Sequence, residues 1–212
     1  MRPILLVTLL ASALPAAEFS TFVGDGNDYH VARVAAGAAG STYLAGSRTL
    51  ASQDSEIFVM KLDAAGKIVL FTTISGKGSD SATDLVVDSA GTIYLAGSTT
   101  SAHFPLRNPL QSAPGPGFLL KLNPDATQLL YATYFPAAVR ALAVDSTGNF
   151  YVTGTTVSPG FPVTPGLPSG TVSIGGVSGS SGAYLTKIAA AGSTAVIARD
   201  HEILKQAVRR VL

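Results

Sequence analysis

The 212 residues carry a net charge of +1 at neutral pH, with 14 basic and 13 acidic side chains, 47% hydrophobic residues and only 13% charged ones. That balance excludes a disordered polyampholyte, which could not bury enough apolar surface to offset its chain entropy, and it offers no basic surplus for nucleic-acid phosphates. Cysteine is absent, so no disulfide can staple the fold and no thiolate can act as nucleophile or metal ligand.

The chain opens with Arg2, an apolar run from Ile4 to Leu10, and the small residues Ala11-Ser12-Ala13-Leu14-Pro15-Ala16-Ala17. This is the order of a secretory signal, with cleavage expected near residues 13–17. The run is too short to remain as a membrane span in the mature chain. A secreted, periplasmic or cell-surface protein is therefore expected. Loss of Arg2 with the signal leaves basic and acidic side chains equal in number.

Three apolar blocks then recur in one order. The first is Phe19-Ser20-Thr21-Phe22, returning as Phe71-Thr72-Thr73-Ile74 and Tyr131-Ala132-Thr133-Tyr134. The second is Gly40 to Ser47, returning as Gly91 to Ser98 and Gly148 to Thr155, with the glycines Gly46, Gly97 and Gly154 standing 51 and 57 residues apart. The third is Phe58 to Leu62, then Phe118 to Leu122, then Tyr184 to Ile188. Between the first and second lies a further run: Val31 to Ala35, Leu85 to Val87 and Leu142 to Val144.

Each unit thus holds four short runs rich in β-branched and aromatic residues, bounded by Gly, Asp, Asn, Ser or Pro, which is a strand-and-hairpin signature. In the order A to D, strands A and B are joined by Asp88-Ser89-Ala90-Gly91 and Asp145-Ser146-Thr147-Gly148. Aspartate opens a type I turn and glycine closes it at positive φ. Asp63 to Gly66 and Asn123 to Ala126 serve strands C and D in the same way. Four antiparallel strands in 50 to 60 residues match the period of a β-propeller blade, whose sheet buries both faces only by stacking on neighbours.

The expected fold is all-β, with three four-stranded antiparallel propeller-type blades in an incomplete or oligomer-completed ring and a short C-terminal helix. Residues 1–17 are the signal peptide, 18–199 the repeat domain (repeats about 19–70, 71–130 and 131–196), and 200–212 an amphipathic helix. That helix follows Asp200 as N-cap and places Ile203, Leu204, Ala207, Val208, Val211 and Leu212 at helical spacing. It is read either as a cap on an exposed blade or as a tail without an evolved role.

The strand "STYLAGS", the segment "GSDSATDLVVDSAGTIYLAGSTTSAHFP" and the strands "FLLKLNPDATQLLYATYF" together resemble the bacterial SBBP-type β-propeller repeat, over roughly residues 19 to 196. The resemblance implies an exported propeller; it implies no reaction and supplies no catalytic residue. Closed propellers use about four to eight blades, so self-association or additional blades are expected as partners.

Antiparallel order places the A–B and C–D turns on one rim of a blade and the B–C and D–A loops on the other. The long loops, 48–56, 99–117 and 156–182, all belong to the second rim, the expected working face. On it stand Asp25, Asn27 and Asp28 in one D–A loop and Asp80 in the next. The oxygens of the first three could take calcium, the one cofactor considered, but the distal bidentate Glu of a calcium loop is missing. The plainer reading is a glycine turn whose aspartates bond backbone. His103-Phe104-Pro105 and Gly160-Phe161-Pro162 recur in equivalent places. Phe104 and Phe161 could stack on a sugar or peptide, or could pin the loops to the blades.

Lys61, Lys121 and Lys187 repeat in the C strands, reaching to solvent or to a turn carboxylate. His30, His103 and His201 sit in no metal spacing and no nucleophile elbow, so no catalytic or metal residue is assigned. The leading function is a non-catalytic module that binds or scaffolds a protein or carbohydrate partner through the long-loop rim, with no nucleic acid. A propeller-based hydrolase or lyase and a non-functional fragment of a longer propeller remain as alternatives.

Overall fold

The computed structural model describes residues 24–156, 161, 182–189 and 195–198. The signal segment, the block Phe19 to Phe22, most of the loop 157–181 and the helix expected at 200–212 lie outside the described residues.

Among the described residues, twelve strands form three four-stranded antiparallel meanders. Blade one contains β1 (Asp28–Ala36), β2 (Thr42–Thr49), β3 (Ser55–Leu62) and β4 (Ile68–Ile74). Blade two contains β5 (Asp80–Val87), β6 (Ile93–Thr99), β7 (Gly117–Leu122) and β8 (Leu129–Phe135). Blade three contains β9 (Val139–Val144), β10 (Phe150–Thr156), β11 (Gly182–Ile188) and β12 (Ala195–Ala198). Every sheet keeps sequence order from strand A to strand D, which gives the propeller-like blades that the repeat predicts.

The turns follow the chemistry of their first residue. Asp88 Oδ1 accepts the N–H of Ala90 and of Thr92, both at 2.9 Å, and Asp145 Oδ1 accepts those of Thr147 and Asn149, both at 3.0 Å. Gly91 and Gly148 close the turns at φ +83° and +81°, a region that glycine enters without steric cost. The Asn123 turn is one residue longer. There Ala126 takes the left-handed place at φ 51°, and Asn123 Oδ1 accepts the Gln128 N–H at 2.9 Å.

The glycine of each strand B has a different cause. In all three blades strand A carries one extra residue, Ala32, Thr83 or Arg140, so that the register slips past it. Such a bulge kinks the strand and pushes its backbone against strand B. A Cβ on Gly46 would lie 1.9 Å from His30 O, one on Gly97 2.0 Å from Ser81 O, and one on Gly154 2.6 Å from Ala138 O.

The core is two inter-blade layers. Tyr43, Ala45, Ile57 and Val59 of blade one meet Leu85, Leu95, Phe118 and Leu120 of blade two. On the other face of blade two, Tyr94, Ala96, Leu119 and Tyr131 meet Leu142, Phe150, Val152 and Tyr184 of blade three. Blade two is therefore covered on both faces, so strands β6 and β7 read as nearly continuous buried runs rather than alternating ones. A small third cluster, Phe58, Met60 and Leu62 with Tyr29 and Leu44 packed against it, belongs to the outer face of blade one.

The inner strands add polar ties between blades. Asp84 is buried and accepts two hydrogen bonds, from Leu85 N–H of its own strand at 2.9 Å and from Leu142 N–H of blade three at 2.8 Å, and it forms an ion pair with Arg33 Nε of blade one at 3.1 Å. The bulged Thr83 donates its hydroxyl to Val139 O across the same interface at 2.8 Å. One carboxylate thus links all three blades, an arrangement that a buried charge requires to be tolerated at all.

Candidate functional site

The long-loop rim is built by the D–A loops and by the B–C loops beside them. In blade one, Asp25 and Asn27 come together: Asn27 Nδ2 donates to Asp25 Oδ1 at 2.7 Å and Asn27 N–H to the same oxygen at 3.3 Å. Arg48 Nη1 donates to the other oxygen at 2.7 Å. The Asn27 amide first, with Arg48 behind it, holds the exposed Asp25 carboxyl below its ordinary value. Arg48 also pairs with Glu56 and lies over the rings of Phe71 and Tyr29, 5.4 and 6.0 Å from their centroids. Asp28 is exposed at the start of β1, opposite Thr49.

Asp80 has a different environment. It is fully buried, and its carboxylate accepts from Thr99 Oγ1, from Ser101 Oγ at 2.8 Å and from Gly76 N–H at 2.8 Å. Both oxygens are occupied in fastening the D–A loop to the start of the B–C loop. The two loops touch so closely that a Cβ on Gly76 would lie 2.6 Å from Ser101 Cβ and 2.8 Å from His103 O.

His103 is exposed beside this contact, whereas Phe104 turns inward. The Phe104 ring stacks on Phe118 at 4.9 Å and lies 6.1 Å from Tyr134. Its N–H donates to Tyr134 Oη at 2.9 Å, and that hydroxyl donates to Ser101 O at 2.7 Å. Phe161 also turns inward, 4.8 Å from Tyr184 of blade three and 6.0 Å from Phe135 of blade two. Both rings are interior anchors. In blade one, which lacks the Phe-Pro element, Tyr29 packs edge-on against Phe58 at 5.1 Å in the corresponding place.

Beyond Phe104 the B–C loop of blade two leaves the rim and runs along the outer edge of β8. Arg107 and Ala132 exchange backbone hydrogen bonds at 3.1 and 2.9 Å. Gln111 N–H donates to Thr133 Oγ1 at 2.8 Å, and its carbonyl accepts the Tyr134 N–H at 3.2 Å. This covers an edge that would otherwise template strand addition. It also fixes the backbone of a segment whose His103, Arg107, Asn108, Pro109 and Leu110 are exposed. Length alone marks this loop in the sequence; nothing in its composition announces the edge pairing.

On the opposite rim the three repeated lysines share one geometry. Lys61, Lys121 and Lys187 lie over Tyr43, Tyr94 and Tyr151, directly opposite on strand B, at 5.0, 4.9 and 5.0 Å. The ring faces attract the ammonium. The Tyr94 and Tyr151 hydroxyls donate to Asp88 and Asp145, each at 3.1 Å. Lys187 also lies 3.9 Å from Asp145. Blade one has Gly37 where the aspartate would stand, six residues before Tyr43 as Asp88 and Asp145 precede Tyr94 and Tyr151. A cross-strand pair of this kind is found in the sequence by aligning the repeats and noting that lysine and tyrosine recur together.

The Thr147 hydroxyl first, then the Asn149 amide, hold the Asp145 carboxyl well below the usual carboxylate range. A depressed value means that the group stabilises the turn above its unfolded pKa and loses that contribution only as pH falls through the lower folded value. A carbon-detected titration is therefore expected to find Asp145 still ionised at pH about 3.9, where an ordinary aspartate is half protonated. A midpoint at or above that value would contradict the turn geometry.

Among the described residues no group of three or more His, Asp or Glu side chains could hold a metal ion, and no helix is long and apolar enough to cross a membrane. No curated protein matches the chain. A protein-family model does: SBBP, a beta-propeller repeat, matches residues 71–105. The matched segment runs from inside β4 through β5 and β6 to the Phe104 anchor, and blades one and three repeat its strand order on either side. The chain thus carries an SBBP-type β-propeller repeat at residues 71–105.

Proposed function

We propose that the chain is an exported, non-catalytic binding module that holds a protein or polysaccharide partner on its long-loop rim and on the B–C loop that descends from that rim along β8. The observation that carries this reading is the B–C loop of blade two. Its backbone is fastened by Phe104, Arg107 and Gln111, while His103, Arg107, Asn108 and Leu110 keep exposed side chains. A side chain displayed on a fixed backbone loses little freedom on binding, which is how rigid loops gain affinity. An imidazole, a guanidinium, an amide and an apolar side chain within eight residues suit a ligand with both polar and apolar surface, such as a glycan or an extended peptide. Export rests on the N-terminal signal order.

The test is co-sedimentation with insoluble cell-envelope polysaccharides and capture of envelope proteins. The His103→Ala/Arg107→Glu/Leu110→Asp triple variant is compared with the unaltered chain. Loss of retention with an unchanged far-UV spectrum is expected. Full retention by the triple variant would sink the loop as the binding surface.

A further inference from the structure

The three blades present equivalent faces, and equivalent positions can be compared one by one. Val31, Val34 and Phe71 lie on the outer face of blade one, in register with Gly46, Leu44 and Met60. Their counterparts in blade two are Ala82, Leu85 and Ala132, in register with Gly97, Leu95 and Leu120. Blade one buries those counterparts to 1%, 3% and 0% exposure, and blade two likewise buries Val139 and Leu142 of blade three to 1% and 3%. In blade one the same positions are 41%, 56% and 42% exposed. Ile68 and Val69 extend this apolar border along β4. The middle of the face, Phe58, Met60 and Leu62, is already buried, so the border on β1 and β4 is the surface left for a neighbour.

The opposite end is matched to it. In blades one and two the face toward the next blade carries Tyr43 and Tyr94, both buried. Tyr151 holds the same place on the outer face of blade three and is partly exposed. Blade three thus ends in the face type that, twice within this chain, packs on the face type with which blade one begins. Repeat proteins are held by this one nearest-neighbour interface.

We propose that a second copy of the chain docks head to tail, laying the outer face of its blade three on the β1 and β4 border of blade one, in continuation of the interface that joins blades one, two and three. The contact is heterologous: it closes a ring if the rotation allows and otherwise extends a filament. The inner-strand tie supplies its register. Thr83 and Val139 meet across the interface of blades two and three. Their equivalents across the new interface are Arg140 of one copy, the bulged residue of its strand, and Val31 of the other, beside the bulge of its strand, both exposed.

The chain has no cysteine, so introduced pairs report unambiguously. Val31→Cys and Arg140→Cys variants, each expressed at full length and then mixed and oxidised, are expected to give a two-chain disulfide species. Neither is expected to link with itself. Adding Val34→Asp to the first variant is expected to abolish the link. A Thr83→Cys/Val139→Cys chain, expected to close internally, controls for reach and folding. Light scattering of the unaltered chain is expected to give multiples of the chain mass. A single-chain mass at every concentration, or an internal control that closes while the mixed pair does not, overturns the proposal. So does a Val31→Cys species that links to itself, since that contact would be isologous.

Discussion

Replacing Gly97 with alanine is expected to disrupt blade two, lowering stability by more than about 3 kcal/mol, beyond the usual cost of overpacking. The added methyl would sit 2.0 Å from Ser81 O and 2.9 Å from Ala82 Cα, both backbone atoms, and 2.9 Å from Phe118 Cε1. No rotamer change can relieve a backbone clash, so β5 must part from β6 and both inter-blade layers lose their support. Gly97 has no left-handed φ, so the need is for space alone. Denaturant unfolding measures the loss. Gly182→Ala, whose Cβ would meet nothing within 4 Å, is expected to unfold at the midpoint of the unaltered chain. Gly154→Ala is expected to fall between them, because one of its contacts, Tyr184 Oη at 2.7 Å, is the end of a side chain. Equal midpoints for Gly97→Ala and Gly182→Ala would show that the bulge does not press on strand B.

The second large effect belongs to Asp84. Truncation to alanine removes the acceptor of two buried backbone N–H groups, Leu85 and Leu142, and the partner of Arg33. An unsatisfied buried donor costs about 1–3 kcal/mol, so a loss of about 2–4 kcal/mol is expected. Asp84→Asn keeps an acceptor oxygen and should recover part of it. Arg33→Ala should cost under about 1 kcal/mol, because its side chain is 49% exposed and exposed ion pairs contribute little. The three denaturation midpoints, ranked in that order, support a hub whose role is to satisfy backbone. If Arg33→Ala matched Asp84→Ala, the ion pair would dominate instead.

The blades were legible in the sequence because their signals are local. Alternation in strands, Asp-to-Gly turn chemistry and a repeated block are all written within a few residues. The phase of the repeat is subtler. The sequence blocks are counted from the run that becomes strand D, whereas each sheet begins at strand A, since a strand's sheet depends on its pairing rather than its position. The reason for Gly46, Gly97 and Gly154 was not legible, because it lies in a bulge on the neighbouring strand.

The candidate site shows the same division. Asp25 and Asn27 do meet, in the Asx-type bonding that a glycine loop favours. Asp80 reads as a twin of Asp28, yet it is buried with its carboxylate occupied, because Thr99 and Ser101 converge on it from 19 and 21 residues further along the chain. Phe104 and Phe161 turn inward because an aromatic ring beside Phe118 or Tyr184 removes more apolar surface from water than it would on the rim. Lys121 and Tyr94 lie 27 residues apart in the chain but directly opposite in the sheet, a pairing that follows only once the register of β6 and β7 is known.

The central claim is that three equivalent blades stack so that, among the described residues, the middle one packs against a neighbouring blade on both faces. Hydrogen exchange followed by mass spectrometry tests it most directly, since exchange reports how far each segment must open. The account predicts slowest exchange in β6 and β7, intermediate exchange in β2, β3, β10 and β11, and fastest exchange among the strands in β1 and β4. Equal protection of the three repeats, or protection of blade two no greater than that of blade one, would contradict it.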